Sequence, residues 1–288
     1  PEDPDMDDYR DLRFKDFFNG NSKDYLEGRF DISDTPLERD TYDEFGADKD
    51  TLLEFFNFLL FMYKIYFRVE AHGIENLPAD SPGLIVSNHA PILPLDGMMI
   101  GVAAIVEPGK PRLIRSIINR SISTIPFFST LMARSGQLIG CDANVRRAFE
   151  TRKLVMVFPT GAEGKPNTIA NRYHLDKFPI GFMEYALRYN TPVIPTCVTG
   201  SEEAAMTLAQ IDLPVAGFKH LPLTPIFPWL GPAGLIPFPS KFRVYFGEPV
   251  DYASEHAHEV DDPEKVRKLV DDLHGRIRAM LDEALGRT

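Results

Sequence analysis

Residues 83–97 have the sequence GLIVSNHAPILPLDG, in which an apolar run is followed by a histidine, a proline-containing turn and an aspartate. The run at residues 83–87 predicts a short buried strand, and residues 96–106 predict a helix that begins at the aspartate. In open α/β sheets, ligands and catalytic groups gather beyond the carboxyl ends of the strands. His89 and Asp96 are therefore the first candidates for a functional site.

The chemistry of this pair depends on whether the two side chains meet. A helix N-terminus favours the ionised form of Asp96. A carboxylate that accepts one imidazole N–H fixes the tautomer and leaves the other ring nitrogen free as a base. On spacing alone, a loop histidine followed by an aspartate that caps a helix explains the pattern equally well.

The rest of the chain alternates between strand-like and helix-like segments. Strands are predicted at residues 112–114, 154–158, 192–198 and 241–246, and helices at 143–152, at 179–190 and from 263 onward. Such alternation predicts an α/β fold, with a mixed, mostly parallel sheet flanked by helices. Residues 221–240 contain six prolines, which predicts an extended loop that either covers the core or touches lipid.

Charge is distributed unevenly along the chain. Residues 1–50 hold 17 of the 42 acidic and 7 of the 31 basic residues, so the remainder, with 25 acids and 24 bases, is nearly neutral. We expect this acidic arm to be a solvated or partly ordered tail. The near-neutral remainder argues against a basic surface for nucleic acid. The two cysteines, and the absence of a secretory pattern within the sequence, favour a reducing compartment.

Residues 51–69, TLLEFFNFLLFMYKIYFRV, predict an N-terminal amphipathic helix. Glu54, Asn57 and Lys64 interrupt the apolar run along roughly one side, which excludes a spanning helix and fits one lying in the membrane interface. The alternative is a helix buried against the protein's own core. The predicted organisation is an acidic arm (residues 1–50), an interfacial helix (51–69) and a catalytic domain (70–288).

The motif Asn88-His89 followed by Asp96 resembles the first motif of the lysophospholipid and 1-acylglycerol-3-phosphate acyltransferase family, within the glycerolipid acyltransferase superfamily. The family usually has four residues between the two catalytic groups, and this chain has six. Later segments resemble further family blocks in the same order, so the likeness extends over about residues 70–250. They are IPFF at residues 125–128, VFPTG at 157–161, VIP at 193–195 and FGEPV at 246–250.

The resemblance implies a glycerol-phosphate-acyltransferase-like fold and direct acyl transfer without a covalent intermediate. His89 would take the proton from an acceptor hydroxyl, and Asp96 would hold the imidazole. Arg120 keeps the basic residue that contacts the acceptor phosphate in the family. By contrast, Asp142 stands near the family's second-block arginine, and Thr160 replaces the third-motif glutamate.

These departures make the acceptor phosphate site doubtful. The turn containing Thr160 and Gly161 offers backbone N–H groups to an oxyanion or a phosphate. Glu163 and Arg172 are further candidates for substrate contacts, although each also fits an ordinary surface charge. His174 lies close to Arg172 and either lines the site or faces solvent.

The resemblance implies transfer of a fatty acyl group from acyl-CoA or acyl-carrier protein to a lysophospholipid or related glycerolipid, rather than to glycerol 3-phosphate. The alternatives are a neutral-lipid acyltransferase, a thioesterase and a catalytically silent lipid-binding protein. No metal or bound cofactor is expected. The expected partners are the two substrates and a membrane surface, and the expected location is peripheral or monotopic on the cytoplasmic face.

Overall fold

The computed structural model describes residues 8–35, 38–90, 94–118, 127–160, 167–213, 218–227 and 229–287. Its strands are β1 (Glu70–His72), β2 (Gly83–Ser87), β3 (Ile114–Ile118), β4 (Leu138–Ile139), β5 (Leu154–Val157), β6 (Val193–Thr199), β7 (Ala209–Leu213), β8 (Phe218–Leu223) and β9 (Arg243–Phe246). Its α-helices are α1 (Asp16–Asn19), α2 (Asn21–Asp31), α3 (Lys49–Phe61), α4 (Leu95–Val106), α5 (Phe128–Arg134), α6 (Asp142–Glu150), α7 (Gly181–Arg188), α8 (Ser201–Ala204), α9 (Ala253–His256) and α10 (Pro263–Ala284).

Seven of the described strands form one sheet in the order β1-β9-β6-β2-β5-β3-β4, and β7 and β8 pair as a separate antiparallel hairpin. Within the large sheet, neighbouring strands are parallel except for β6 and β9, which run antiparallel. The predicted mixed, mostly parallel sheet is therefore confirmed. Because β2 lies between β5 and β6, its carboxyl end stands near the middle of one edge.

Helices cover both faces of the sheet. Side chains alternate across a strand, so Ile85 of β2 packs with α3 and α4 on one face, whereas Leu84 and Val86 pack with α6, α7 and α10 on the other. Helix α10 begins after Asp262, whose carboxylate accepts from the backbone N–H groups of residues 264 and 265. The strands thus have apolar contacts on both sides, as expected of parallel sheets.

The acidic arm is not a solvated tail over the described residues 8–35. Its apolar residues Tyr9, Leu26 and Phe30 are buried in the core shared with α3 and α4. Its acids also neutralise buried bases of the catalytic domain. The Asp34 carboxylate lies 3.2 Å from Nε of Arg112, a residue that is 1% exposed. The solvated alternative of the prediction is therefore wrong, because charge counts do not reveal partners far away in sequence.

Helix α3 begins at Lys49 after Asp48, whose side chain accepts from the backbone N–H of Thr51. It continues into a π-helical turn, Met62–Tyr66. One side of this helical segment is buried in the core, and the other exposes apolar side chains, including Phe58. The buried side fits the predicted alternative of a helix packed against the protein's own core. Among the described residues, no helix combines the length and apolarity needed to cross a membrane.

Two of the predicted segments need a particular correction. Strand β3 runs over Ile114–Ile118 instead of residues 112–114, because the buried side chain of Arg112 turns to the backbone carbonyls of Ser81 and Arg152 before the strand begins. Residues 221–223, predicted as part of an extended loop, belong to β8 and pair with β7. The following segment contains a short 3-10 helix, Gly231–Leu235.

Candidate functional site

His89 and Asp96 meet at the carboxyl end of β2. The Nδ1 atom of His89 lies 3.1 Å from Oδ2 of Asp96, and the same oxygen accepts the backbone N–H of Ala90 at 2.7 Å. Asp96 is fully buried and His89 is nearly so. A carboxylate can only accept here, so Nδ1 carries the ring proton and Nε2 keeps its lone pair. The pair is therefore arranged as a base with its orienting carboxylate.

The six residues between His89 and Asp96 do not prevent this contact. Asp96 lies in the first turn of α4. Its side chain reaches back to His89 and Ala90, the two residues that come after Asn88. A single carboxylate oxygen therefore connects the beginning and the end of the turn between β2 and α4. Residues 91–93, in the middle of the turn, lie outside the described residues. The longer spacing is thus compatible with the catalytic geometry.

Asn88 fixes the point at which β2 stops and the site begins. Its side-chain amide donates to the carbonyl of Val198 at 3.0 Å and accepts the N–H of the same residue at 2.8 Å. These two hydrogen bonds extend the contact between β2 and β6 beyond the last backbone pair of the two strands. It holds the neighbouring His89 at a defined distance from the end of β6.

Phe158 supports the imidazole from β5. Its ring centroid lies 4.6 Å from that of His89. Gly97 lies at the start of α4, and a Cβ atom there would come within 3.1 Å of both Phe158 and Met156. Glycine therefore lets α4 approach Phe158 closely, which places Asp96 and the aromatic support together around one imidazole.

His89 lines a narrow pocket of about 20 Å³ that opens to solvent. Its walls come from the segments that follow β2, β5 and β6, together with residues 167–176 and one residue of α10. The lining residues are Asn88, His89, Thr160, Asn167, Tyr173, His174, Leu175, Asp176, Glu202 and Leu281. Hydrogen-bonding groups thus surround the imidazole. Apart from the two histidines, the ionisable side chains that line the pocket are those of Tyr173, Asp176 and Glu202.

Glu202 is a second buried carboxyl group in this pocket. Its Oε1 accepts from the Asn167 amide at 2.8 Å, and its Oε2 accepts the backbone N–H of Tyr173 at 2.7 Å. Burial raises the pKa of Glu202 to about 7, against the lowering effect of these two hydrogen bonds. The nearby carboxylate of Asp96 raises the pKa further. Glu202 is thus substantially protonated near neutral pH.

Tyr173 ties residues 167–176 to the end of β6. Its hydroxyl accepts the N–H of Gly200 at 2.7 Å and donates to Glu203. Its backbone has φ of 61°, a left-handed conformation that is unfavourable for a tyrosine. Because strain of this kind costs about 1–3 kcal/mol, it persists only where surrounding contacts hold the residue. Here those contacts hold the N–H of Tyr173 against Glu202.

The structure brings together only some of the predicted site residues. Thr160 and His174 line the pocket with His89 and Asp96 behind it. Arg172 instead pairs with Glu203, with Nη1 3.2 Å from Oε1. Arg120, Gly161 and Glu163 lie outside the described residues.

Sequence reasoning missed Glu202, although a signal for it is present. The sequence Gly200-Ser201-Glu202 directly follows the buried strand β6, just as Asn88-His89 follows β2. Polar residues after one buried strand deserved the same attention as those after the other. The missing fact was that β2 and β6 are neighbours, which depends on the order of strands in the sheet.

Comparisons with known proteins point to acyl transfer. The model of a family described as Acyltransferase matches residues 68–199. An uncharacterized protein of Mycobacterium bovis is 37% identical over 246 residues, which cover 83% of this chain and 68% of that protein. A protein of Mycobacterium leprae, also uncharacterized, is 36% identical over 250 residues, which cover 84% of this chain and 67% of that protein.

More distant similarities include proteins with descriptive names. A human protein named DGAT1/2-independent enzyme synthesizing storage lipids is 26% identical over 226 residues, covering 75% of this chain and 64% of that protein. The crystal structure of the 1-acyl-sn-glycerophosphate (LPA) acyltransferase PlsC from Thermotoga maritima aligns with a TM-score of 0.45 and 20% sequence identity. That alignment covers 77% of this chain and 79% of the crystallised one.

Proposed function

The chain belongs to the glycerolipid acyltransferase family, and we propose that it moves a fatty acyl group from an acyl thioester to a glycerolipid hydroxyl with His89 as the general base. The observation that carries this proposal is the 3.1 Å contact between the His89 imidazole and the buried Asp96 carboxylate at the edge of the pocket. The same contact argues against a catalytically silent lipid-binding protein, which would not need an oriented base.

The proposed reaction is a direct transfer. Nε2 of His89 takes the proton of the acceptor hydroxyl as its oxygen attacks the thioester carbonyl, and Asp96 stabilises the imidazolium that forms. When the intermediate collapses, the carbon–sulfur bond breaks and the imidazolium returns the proton to the leaving thiolate. A positioned base of this kind contributes about 10²–10⁴-fold to the rate. Thr160 lines the same pocket, and we assign its turn to the developing oxyanion.

Two classes of acceptor remain candidates, and the described residues favour the neutral one. Arg120 keeps the basic residue at the family's phosphate position, which suits a lysophospholipid. In the described part of the pocket, however, carboxyl groups outnumber cations. Asp176 lies 3.4 Å from His174, and Glu202 is bonded to neutral donors. A mono- or diacylglycerol avoids the repulsion that a phosphate would meet there, and the name of the human relative also refers to storage lipids.

The test is thiol release from palmitoyl-CoA in the presence of lysophosphatidate, lysophosphatidylcholine or monoacylglycerol. The wild type is compared with His89→Ala and with His72→Ala, which removes an exposed histidine stacked on Tyr245. We expect acceptor-dependent release that is lost only in His89→Ala. Release that needs no acceptor would indicate a thioesterase, and equal release by wild type and His89→Ala would refute the assignment of the base.

We also propose that the enzyme contacts a membrane through an apolar surface near the site. This surface comprises the outer side of α3 and its π-helical turn, including Phe58, and an exposed loop that includes Trp229 and Ile236. The hydroxyl of Tyr66 donates to the carbonyl of Pro237 at 2.6 Å, which joins the two parts. Exposed aromatic and aliphatic side chains of this kind suit the membrane interface.

Register places this surface at the same sheet edge as the pocket. Glu70, at the start of β1, pairs with Arg243, which in turn pairs with Thr199 at the carboxyl end of β6. In co-sedimentation with anionic phospholipid vesicles, Phe58→Glu and Trp229→Glu should reduce the bound fraction. Ile32→Glu changes an exposed apolar residue near the opposite edge and should not. Equal binding by all variants would contradict this membrane surface.

A further inference from the structure

The pocket holds a second polar group that the proposed base mechanism does not use. Strands β2 and β6 are parallel neighbours, with Ser87 opposite Thr196. His89 lies two residues beyond the end of β2, and Glu202 lies three residues beyond the end of β6. Both side chains line the same pocket. The architecture therefore offers two adjacent polar contact points to one bound molecule.

Glu202 is held in place by neutral donors. Asn167 and the backbone of Tyr173 each bind one of its oxygens, and the side chain is almost completely buried. No cation among the described residues forms an ion pair with it, since Arg172 is paired with Glu203. A buried carboxyl group without a cation is costly in its charged form, which favours the neutral form. Its two fixed oxygens therefore constitute a prepared hydrogen-bonding position.

The charge of the pocket limits what this position can bind. Glu202 does not attract a phosphate group, and the nearby carboxylate of Asp96 repels one. A hydroxyl group fits instead, because it can donate to a carboxylate oxygen and accept from a protonated carboxyl. The burial that favours the protonated form of Glu202 near neutrality makes both directions possible.

We propose that Glu202 binds a second hydroxyl of the acceptor while His89 deprotonates the first, so that the enzyme prefers acceptors with a free glycerol diol, such as a monoacylglycerol. This inference rests on the acyl transfer proposed above and names the acceptor class for the same pocket. Glu202 acts as a specificity-determining residue, because it contacts the hydroxyl that does not react. Acceptors with one hydroxyl lack this contact.

The test uses two acceptors that differ by one hydroxyl, 1-palmitoylglycerol and propane-1,3-diol monopalmitate, presented in the same detergent micelles. The ratio of their kcat/KM values with palmitoyl-CoA is measured for the wild type, Glu202→Ala and Glu202→Gln. We expect the wild type to prefer the diol about tenfold, the effect of one hydrogen bond to a buried group. Glu202→Ala should bring the ratio near one, and Glu202→Gln should keep most of it, because an amide also bonds a hydroxyl.

Glu150→Gln is the control. It alters an exposed glutamate at the end of α6, which pairs with Arg146 and does not line the pocket. Its acceptor ratio should equal that of the wild type. If Glu202→Ala does not fold, Glu202→Asp replaces it in the test. Its side chain is one methylene shorter, which moves the carboxyl group away from the acceptor and should lower the ratio of the two kcat/KM values.

The outcomes separate this inference from the proposed function. Transfer by the wild type without preference for the diol would overturn the role of Glu202 and leave acyl transfer standing. A preference that survives in Glu202→Ala would do the same. Absence of transfer to either acceptor, together with transfer to lysophosphatidate in the same assay, would overturn the inference and leave acyl transfer standing. Absence of transfer to all three would refute the proposed function, and the inference with it.

Discussion

The buried carboxyl of Glu202 should make the fold less stable as the pH rises from 5 to 8, and Glu202→Gln should remove that loss. Burial raises the pKa of Glu202 from its ordinary 4.5 to about 7. Between these values the folded chain keeps a proton that the unfolded chain has released. The stability associated with this proton is therefore complete in acid and disappears as the pH rises through about 7.

The size of the effect follows from the difference between the two pKa values. One pKa unit corresponds to 1.36 kcal/mol, so the shift caused by the burial of Glu202 corresponds to about 3 kcal/mol when the group is fully ionised. Between pH 5 and pH 8, the change should be about 2–3 kcal/mol. Since Glu202 is only 8% exposed, solvent screening should not reduce this value greatly.

The assay is urea-induced unfolding at 25 °C, followed at pH 5, 6, 7 and 8 for the wild type and Glu202→Gln. Glu202→Gln exchanges one accepting oxygen for a donor, so a constant loss of about 1 kcal/mol is expected at every pH. The informative quantity is how the difference in the free energy of unfolding between the two proteins changes with pH. Glu203→Gln shows whether the effect is specific to position 202. A difference that is the same at pH 5 and pH 8 would refute the argument.

Three further substitutions test other parts of the structure. Asp96→Asn should lower kcat by about 10²–10⁴-fold with little change in KM, because the imidazolium loses its charge partner; steady-state kinetics with the best acceptor would check this. Asp43→Ala should lower the free energy of unfolding by about 3–5 kcal/mol, because it leaves the fully buried Arg115 guanidinium unpaired, and a loss below about 1 kcal/mol in urea unfolding would contradict this. Gly200→Ala should lower the melting temperature, because φ is 98° there and a Cβ would overlap the Lys241 carbonyl. An unchanged melting temperature in calorimetry would contradict this.

Several elements were predictable because local sequence determines them. Strand β2 runs over Gly83–Ser87 as predicted, β5 ends one residue before its predicted bound, and β6 is shifted by one residue at both ends. Each is an apolar run bounded by Gly, Pro or polar residues. The contact between His89 and Asp96 was an open alternative on spacing alone. The structure favours the pair over a loop histidine with a capping aspartate, because the Asp96 side chain accepts from His89 and Ala90.

The rest depended on contacts between distant parts of the chain. Arg115 is fully buried, and its guanidinium pairs with Asp43, 72 residues earlier. Burial lowers the pKa of Arg115, and the Asp43 carboxylate opposes that effect. No local pattern around either residue predicts such a pair, so the sequence predicted only a solvated or partly ordered tail for the acidic arm. Glu202 was missed for a related reason, because its relevance follows from the adjacency of β2 and β6.

The position of β9 has a consequence for biosynthesis. This strand, Arg243–Phe246, lies between β1, Glu70–His72, and β6. The first strand of the sheet therefore cannot join it until residues 243–246 have been synthesised, and until then the apolar strand β6 has an open edge. Open edges invite pairing with other chains, and contacts so distant in sequence form slowly. Completion of the sheet thus waits for β9, and the edge of β6 is exposed to pairing with other chains until β9 inserts.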